Sequence, residues 1–367
     1  MTKTIRNVGM ALLIVVWAAL AGFAWFSAPK ETSDAERRPL AQFPELTAES
    51  VLSGKFMTKF EDYSLDQFPG RDVFRQLKSL VHYNIMNRKD NNGIYIADGS
   101  AAKLDYPINK PAVEHALSRL DYVYETYLKP HGSKVYTAVI PDKGYYLAES
   151  NGYPAMDYKE LFSMVQAGMP WAEYIDITDC LQAESYYFTD THWRQEALLA
   201  TAQKLCQAMG MTVPQEGEFT KTLVDRPFYG VYYGQAALPM EPEELYILQS
   251  NRLSACKVYN FETGKYHDVY DMGKADGKDL YEVYLSGPQS LLRIENPNGK
   301  EDRELIVFRD SFGSSIVPLL VQEYKTVTLI DIRYMDSRML SRFVEFSGQD
   351  VLFLYSTLVL NSGTTLK

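Results

Sequence analysis

The sequence predicts an α/β fold with a mostly parallel sheet between helical layers. Three observations carry that prediction. Short continuous apolar runs, Leu305-Ile306-Val307-Phe308 and Val351-Leu352-Phe353-Leu354-Tyr355 among them, read as strands buried on both faces. Segments of helical period alternate with these runs through much of the chain. The 46% hydrophobic fraction of 367 residues is enough for one large core.

From the N-terminus, Val8 to Phe26 is an almost unbroken apolar run without charge, close to the ~20 residues that cross a bilayer. Lys3 and Arg6 precede it, which places the remainder of the chain outside the cytoplasm. Residues 1–27 are therefore expected to form a retained single-pass anchor. The alternative is secretion after signal cleavage near Ala19-Leu20-Ala21, but the apolar run continues past that point. Residues 28–45 read as a solvated linker, with Lys30, Glu31, Glu36, Arg37 and Arg38, and 46–367 as the main domain.

Within that domain, helices are expected over 50–67 and 73–86, separated by Pro69-Gly70. A short strand at 94–96 ends at Asp98-Gly99. Ala116, Leu120, Val123 and Leu128 mark a helix over 112–128. Strands at 135–140 and 174–177 flank a helix at 158–165. A helix over 194–209 buries Leu198, Ala202, Leu205 and Met209 and stops at Gly210. Tyrosine-rich alternation between about 212 and 300 reads as a β-rich insertion. Alternation then resumes: strand 305–308, helix 314–321 with Pro318 inside it, strand 327–330, helix 339–346 and strand 351–355.

The net charge of −10 and pI near 5.2 exclude nucleic acid as a natural partner, since a phosphate backbone calls for a cationic surface. Three cysteines, Cys180, Cys206 and Cys256, allow at most one bridge. Cys206 shares a helix face with Leu198 and Leu205 and reads as a buried thiol. No Cys/His spacing suggests zinc, and neither a metal nor a cofactor is expected.

Two motifs carry chemistry: Asp190-Thr191-His192-Trp193 and Arg309-Asp310-Ser311-Phe312-Gly313. A serine hydroxyl needs a base to take its proton during attack, and the base needs a partner that fixes its tautomer. Residues i and i+2 of an extended loop project to one side, so Asp190 and His192 can share one space. Ser311 falls where a strand of a parallel sheet ends and a helix begins, the usual place for a site in such folds. The Ser311 and Gly313 amides are candidate oxyanion donors. Ordinary roles compete: Ser311 or Asp310 capping the helix, Trp193 packing in the core. His82, His115, His131 and His267 are weaker candidates. Tyrosine is frequent, 27 residues, and its ring with a polar tip suits sugar contact. Tyr186 and Tyr187 are favoured because they precede Asp190, and Trp193 and Arg309 join them as candidate substrate contacts.

Phe188 to Trp193 resembles the Asp-x-His-Trp signature of the DHHW family and of the alginate O-acetyltransferases of the AlgX/AlgJ type. Ile306 to Phe312 looks like the serine segment of the same families. The resemblance implies an SGNH-hydrolase-like three-layer α/β/α fold with its sequence blocks permuted. It also implies Ser311 as nucleophile, His192 as base and Asp190 as its orienter. Its implied setting is acetylation of exported or cell-surface polysaccharide, alongside a membrane-bound O-acyltransferase. Departures are Thr191 at the second signature position and Leu285-Ser286-Gly287-Pro288-Gln289 where relatives carry Gly-Gly-Asn; Arg309 stands at a place that is small or basic in relatives. Pro288 has neither N–H nor carboxamide, leaving Gln289 as the substitute oxyanion donor. The expected function is an extracytoplasmic O-acetyltransferase or esterase. The competing readings are a non-catalytic glycan-binding or scaffolding protein, and a partner that positions a membrane acyltransferase through the N-terminal helix.

Overall fold

The computed structural model describes residues 3–86, 88–238 and 240–367. It divides the chain into one unit of Met1–Asn91 with Gly234–Pro239 and a second of Asn92–Tyr233 with Met240–Lys367. The boundaries expected at 27 and 45 do not coincide with this division.

The first unit opens with α1, Lys3–Phe26. Its stretch Ile5–Phe26 is long and apolar enough to cross a membrane, and none of it is buried. The helix expected over 50–67 is broken. A single turn, Ala48–Leu52, is closed by a capping box between Thr47 and Ser50. Gly54, at φ +76°, then redirects the chain into α2, Lys55–Asp66. That left-handed conformation costs glycine little. Helix α3, Arg71–Leu80, continues as a wider turn over Val81–Ile85. The segment expected to be a solvated linker is instead pinned by charge. Thr32–Ser33 pairs with Arg38–Pro39. Glu36 meets Arg71 at 2.5 Å and Arg75 at 3.2 Å, and Arg38 meets Asp66 at 2.6 Å. The hydrogen bond from Arg38 holds the Asp66 carboxyl down at about 2.

The second unit is built on an eight-stranded sheet. Its strands are β1 Val135–Ile140, β2 Glu173–Tyr174, β3 Lys257–Asn260, β4 Lys265–His267, β5 Leu291–Glu295, β6 Lys300–Arg309, β7 Tyr324–Ile330 and β8 Asp350–Ser356. The order across the sheet is β4-β3-β5-β7-β6-β8-β1-β2. From β7 to β2 every pairing is parallel; β4, β3 and β5 add antiparallel to the β7 side. Part of the expected β-rich insertion thus belongs to the main sheet. The rest, Thr220–Phe228 with Glu243–Gln249, forms a separate two-stranded ribbon.

Period-two alternation along β6 explains the layers. Leu305 and Val307 enter the core that also holds α6, Leu199–Ala208, and α7, Gly313–Leu320. Ile306 and Phe308 enter the opposite core with α4, Lys110–Val123, and α5, Tyr158–Gly168. This is the predicted α/β/α arrangement. Phe308 lies opposite Ile330 on β7 and Phe353 on β8, and Ser356 lies opposite Ile140. The C-terminal ends of β6, β8 and β1 therefore share one rim.

Some expected elements are shorter. The strand over 174–177 gives way after Tyr174, where Asp176 Oδ1 accepts from the Thr178 amide and hydroxyl, a local turn that competes with the ladder. The helix over 339–346 is a 3₁₀ segment, Ser337–Arg342, capped by Asp336. Asp98-Gly99 is a hairpin turn joining Ile94–Ala97 to Ser100–Lys103, both residues at positive φ. The three cysteines are free, with Cys206 buried as expected.

Phe308 is fully buried and stacks on Phe353 at 4.8 Å. Phe308→Ala is expected to lower stability by about 3–5 kcal/mol, read as a fall in the urea midpoint.

Candidate active site

Where β6 ends, Asp310 organises the chain. Its Oδ1 accepts from the Phe312 amide at 3.0 Å, and its Oδ2 accepts from the Ser356 amide at the end of β8 at 2.8 Å. One buried carboxylate thus ties two neighbouring strand ends and fixes the turn that carries Ser311. Ser311 is only half-buried, and its amide has no protein acceptor among the described residues. Gly313 opens α7; a Cβ there would lie 2.8 Å from Arg309 Cβ, so the turn closes only over glycine.

The second motif sits at the tip of a tight hairpin. The Tyr187 amide donates to the His192 carbonyl at 3.0 Å, and the Arg194 amide to the Ser185 carbonyl at 2.8 Å. Asp190 Oδ1 accepts from the His192 amide at 2.9 Å and lies 2.6 Å from His192 Nδ1; Oδ2 accepts from the Val231 amide at 2.6 Å. A carboxylate held by two backbone donors is fixed in place, and it orients the ring above it. The ring's other nitrogen, Nε2, lies 2.8 Å from Ser311 Oγ. The structure therefore brings together Asp190, His192 and Ser311, the last two 119 positions apart. The linked hydroxyl, imidazole and carboxylate form a chain that can move a proton off an attacking hydroxyl.

Trp193 joins the two motifs. Its indole N–H donates to the Phe312 carbonyl at 3.0 Å and to Ser315 Oγ at 2.9 Å. Tyr281 packs flat on the His192 ring, centroids 3.9 Å apart, and its hydroxyl lies 2.8 Å from the same Ser315 Oγ. Glu243 steadies the hairpin. Its carboxylate accepts from the Phe188 amide and from the Thr189 amide and hydroxyl at 2.6–2.7 Å, and it pairs with Arg194.

Lys143 follows β1 on the same rim. Its buried Nζ donates to the Tyr187 carbonyl at 2.8 Å, Ser100 Oγ at 3.2 Å and the Phe188 carbonyl at 3.3 Å. Burial lowers its pKa to about 7, against the pull of nearby Asp190 and Glu243. Tyr281, Glu243 and Lys143 were absent from the sequence reading. Lys143 carried a faint signal, because Pro141-Asp142-Lys143-Gly144 directly follows a predicted rim strand. Tyr281 and Glu243 lie in the region read only as β-rich, and nothing local marks them.

Several expected contacts need correction. Tyr186, Tyr187, Trp193 and Arg309 are fully buried, so none offers a face to a substrate. Tyr186 donates its hydroxyl to the Pro141 carbonyl, and Tyr187 packs on Phe228. Arg309 reaches the Asp310 carbonyl and Ser314 Oγ from within the core, and burial lowers its pKa. Of the oxyanion candidates, the Gly313 amide donates to the Asp310 carbonyl at 3.1 Å. The Gln289 carboxamide accepts from Asn260 Nδ2 and donates to the Ser286 carbonyl, which commits it to its own turn. Among the described residues, no cluster of His, Cys, Asp or Glu could hold a metal.

Residues 171–330 match the model of a known family, described as DHHW protein, and over this stretch the resemblance drawn from the motifs is borne out. No curated protein matches the chain. Among solved structures, a DHHW family protein from Eubacterium siraeum is similar at TM-score 0.61 and 21% identity, over 75% of this chain and 94% of that one. Bacillus cereus PatB1, solved with a sulfonyl adduct, is similar at TM-score 0.59 and 19% identity, over 73% and 95%. These likenesses show that the chain shares its α/β/α fold with those two proteins.

Lys143 generates a pH-dependent prediction. Its unfolded side chain keeps its proton to about 10.5, whereas the folded one releases it at about 7. Between those values the unfolded state holds more protons, so stability rises with pH through this group. Lys143→Met is expected to remove that gain, measured by urea unfolding at about pH 7 and about pH 10.

Proposed function

We propose that this chain is an extracytoplasmic O-acyl transfer enzyme, an O-acetyltransferase or esterase acting on an exported or cell-surface polysaccharide. One observation carries the reading: Ser311 Oγ stands 2.8 Å from His192 Nε2 while Asp190 stands 2.6 Å behind Nδ1. Helix α1 is the retained anchor, and a membrane-bound O-acyltransferase is the proposed partner that delivers acyl groups.

The proposed steps make use of that arrangement. Ser311 Oγ attacks the carbonyl carbon of an acyl donor, and its proton passes to His192 Nε2. Asp190 stabilises the imidazolium so formed. The negative oxygen faces the unpaired Ser311 amide and the N-terminal end of α7. The donor's leaving group departs with the proton from Nε2, and the acyl group remains as an ester on Ser311. A sugar hydroxyl, or water in the esterase case, then gives its proton to His192 and attacks that ester. Product leaves and Ser311 regains its proton. Beside the hairpin, a cleft of about 560 Å³ is lined by Phe188, Thr189, Arg194, Glu243 and Tyr246, among others. Phe188 is exposed there, and its ring with the surrounding carboxylates suits a hydroxyl-rich acceptor.

A second reading, a glycan-binding protein without turnover, is favoured by one observation: the Gln289 carboxamide is engaged elsewhere, leaving the Ser311 amide as the clear oxyanion donor. The two readings separate experimentally. With an activated acetyl ester, the enzyme reading predicts a Ser311-linked acetyl-enzyme, with Ser311→Ala and His192→Ala each losing about 10³-fold or more in kcat. PatB1 carries a sulfonyl adduct; by analogy, a sulfonyl fluoride is expected to label Ser311 here and to fail on His192→Ala, as read by peptide mass spectrometry. Glycan affinity that survives both substitutions, with no ester turnover in the parent, would establish the binding reading instead.

A further inference from the structure

Helix α3 is built inside out. Its polar side faces the protein: Arg71 and Arg75 meet Glu36 at 2.5 and 3.2 Å, Arg75 Nη2 donates to the Gly234 carbonyl at 2.6 Å, and Ser79 is fully buried. Its apolar side faces outward. Val73 is 66% exposed, Leu77 53% and Leu80 40%, and Ile85 on the continuing turn is 76% exposed. Steps of three to five residues put these on one stripe of the helix. The helix cannot roll the stripe inward without breaking the Glu36 pairs. A row of large apolar side chains held toward water is unfavourable, so the face calls for a cover.

The cover is indicated by α1, which lies in the same unit. The Trp17 ring meets Phe68 at 6.3 Å, and Phe68 meets Phe74 of α3 edge-on at 5.3 Å. A line of aromatic rings thus runs from the apolar span to the first turn of the inverted helix. Trp17 lies nine residues before Phe26 (26 − 17), about 13 Å of helix, in the outer half of the span. We infer that the Val73–Leu77–Leu80–Ile85 stripe lies against lipid hydrocarbon beside α1, with the Glu36–Arg71–Arg75 cluster on its protein side. An interfacial helix of this kind buries its apolar face ~5–10 Å into the headgroup and acyl boundary. This rests on α1 being a retained span.

The test uses the full chain in vesicles of phosphatidylethanolamine and phosphatidylglycerol. Cys180, the one cysteine that is not buried, is replaced in the background as Cys180→Ser. Spin labels are placed singly through Leu77→Cys, Val73→Cys, Asp72→Cys and Leu12→Cys. Collision rates with oxygen, which concentrates in lipid, are compared with those of a water-soluble nickel chelate. Labels at Leu77 and Val73 are expected to resemble Leu12, with an oxygen-to-nickel ratio several-fold above that at Asp72. If Leu77 and Val73 match Asp72 while Leu12 remains in lipid, the lipid contact is overturned and a protein cover takes its place. If Leu12 itself reports water, the retained span fails, and the inference fails with it.

Discussion

The indole of Trp193 is the constraint on which the site depends. Two segments far apart in sequence must meet with sub-ångström tolerance if a hydroxyl and an imidazole are to share a proton. Each segment is rigid alone: the Ser311 turn through Asp310, the His192 hairpin through Asp190, Glu243 and Lys143. What sets one against the other is the indole N–H that donates to the Phe312 carbonyl and Ser315 Oγ on the far side, seconded by Gln195 Nε2, which donates to the Ser315 carbonyl at 2.7 Å. Because Trp193 is fully buried, that bond is made in a low-dielectric setting, where leaving either partner unmade is costly.

Around this clamp the sheet rim acts as a frame. Asp310 spans the ends of β6 and β8, while Asp142 after β1 reaches Thr357 beyond β8 at 2.7 Å and the Tyr158 hydroxyl at 3.0 Å. Three neighbouring strands therefore end in carboxylate-centred networks rather than loose loops. Asp142 is fully buried, and burial raises its pKa against the hydrogen bonds from Thr357 and Gly144. Such a network tolerates little repacking, since each member left without its partner becomes an unpaired buried polar group.

The layer order and the two motifs were legible in the sequence because both rest on local signals. Apolar runs such as 305–308 and 351–355 report strands directly, and the Asp-x-His and Ser-Phe-Gly segments are contiguous. What the sequence did not disclose depends on contacts across the fold. Aromatic residues next to Asp190 suggested a sugar platform, yet Tyr186, Tyr187 and Trp193 turn inward, because the hairpin that presents His192 needs a packed base. Arg309 reads as a substrate contact from its place beside Ser311, but it terminates a central strand and is buried. Tyr281 reaches His192 from a region whose local pattern said only that it was tyrosine-rich. The polar stretch before 45 read as solvated because its ion-pair partners, Asp66, Arg71 and Arg75, lie on helices elsewhere.

The two margins of the sheet are minimal. At one end β2 pairs over two residues; at the other β4 has three, Lys265 among them. Short margins bearing a lysine give a neighbouring copy almost no ladder to extend. At high local concentration, encounters between copies are frequent. The abbreviated margins would keep such encounters from growing into intermolecular sheets.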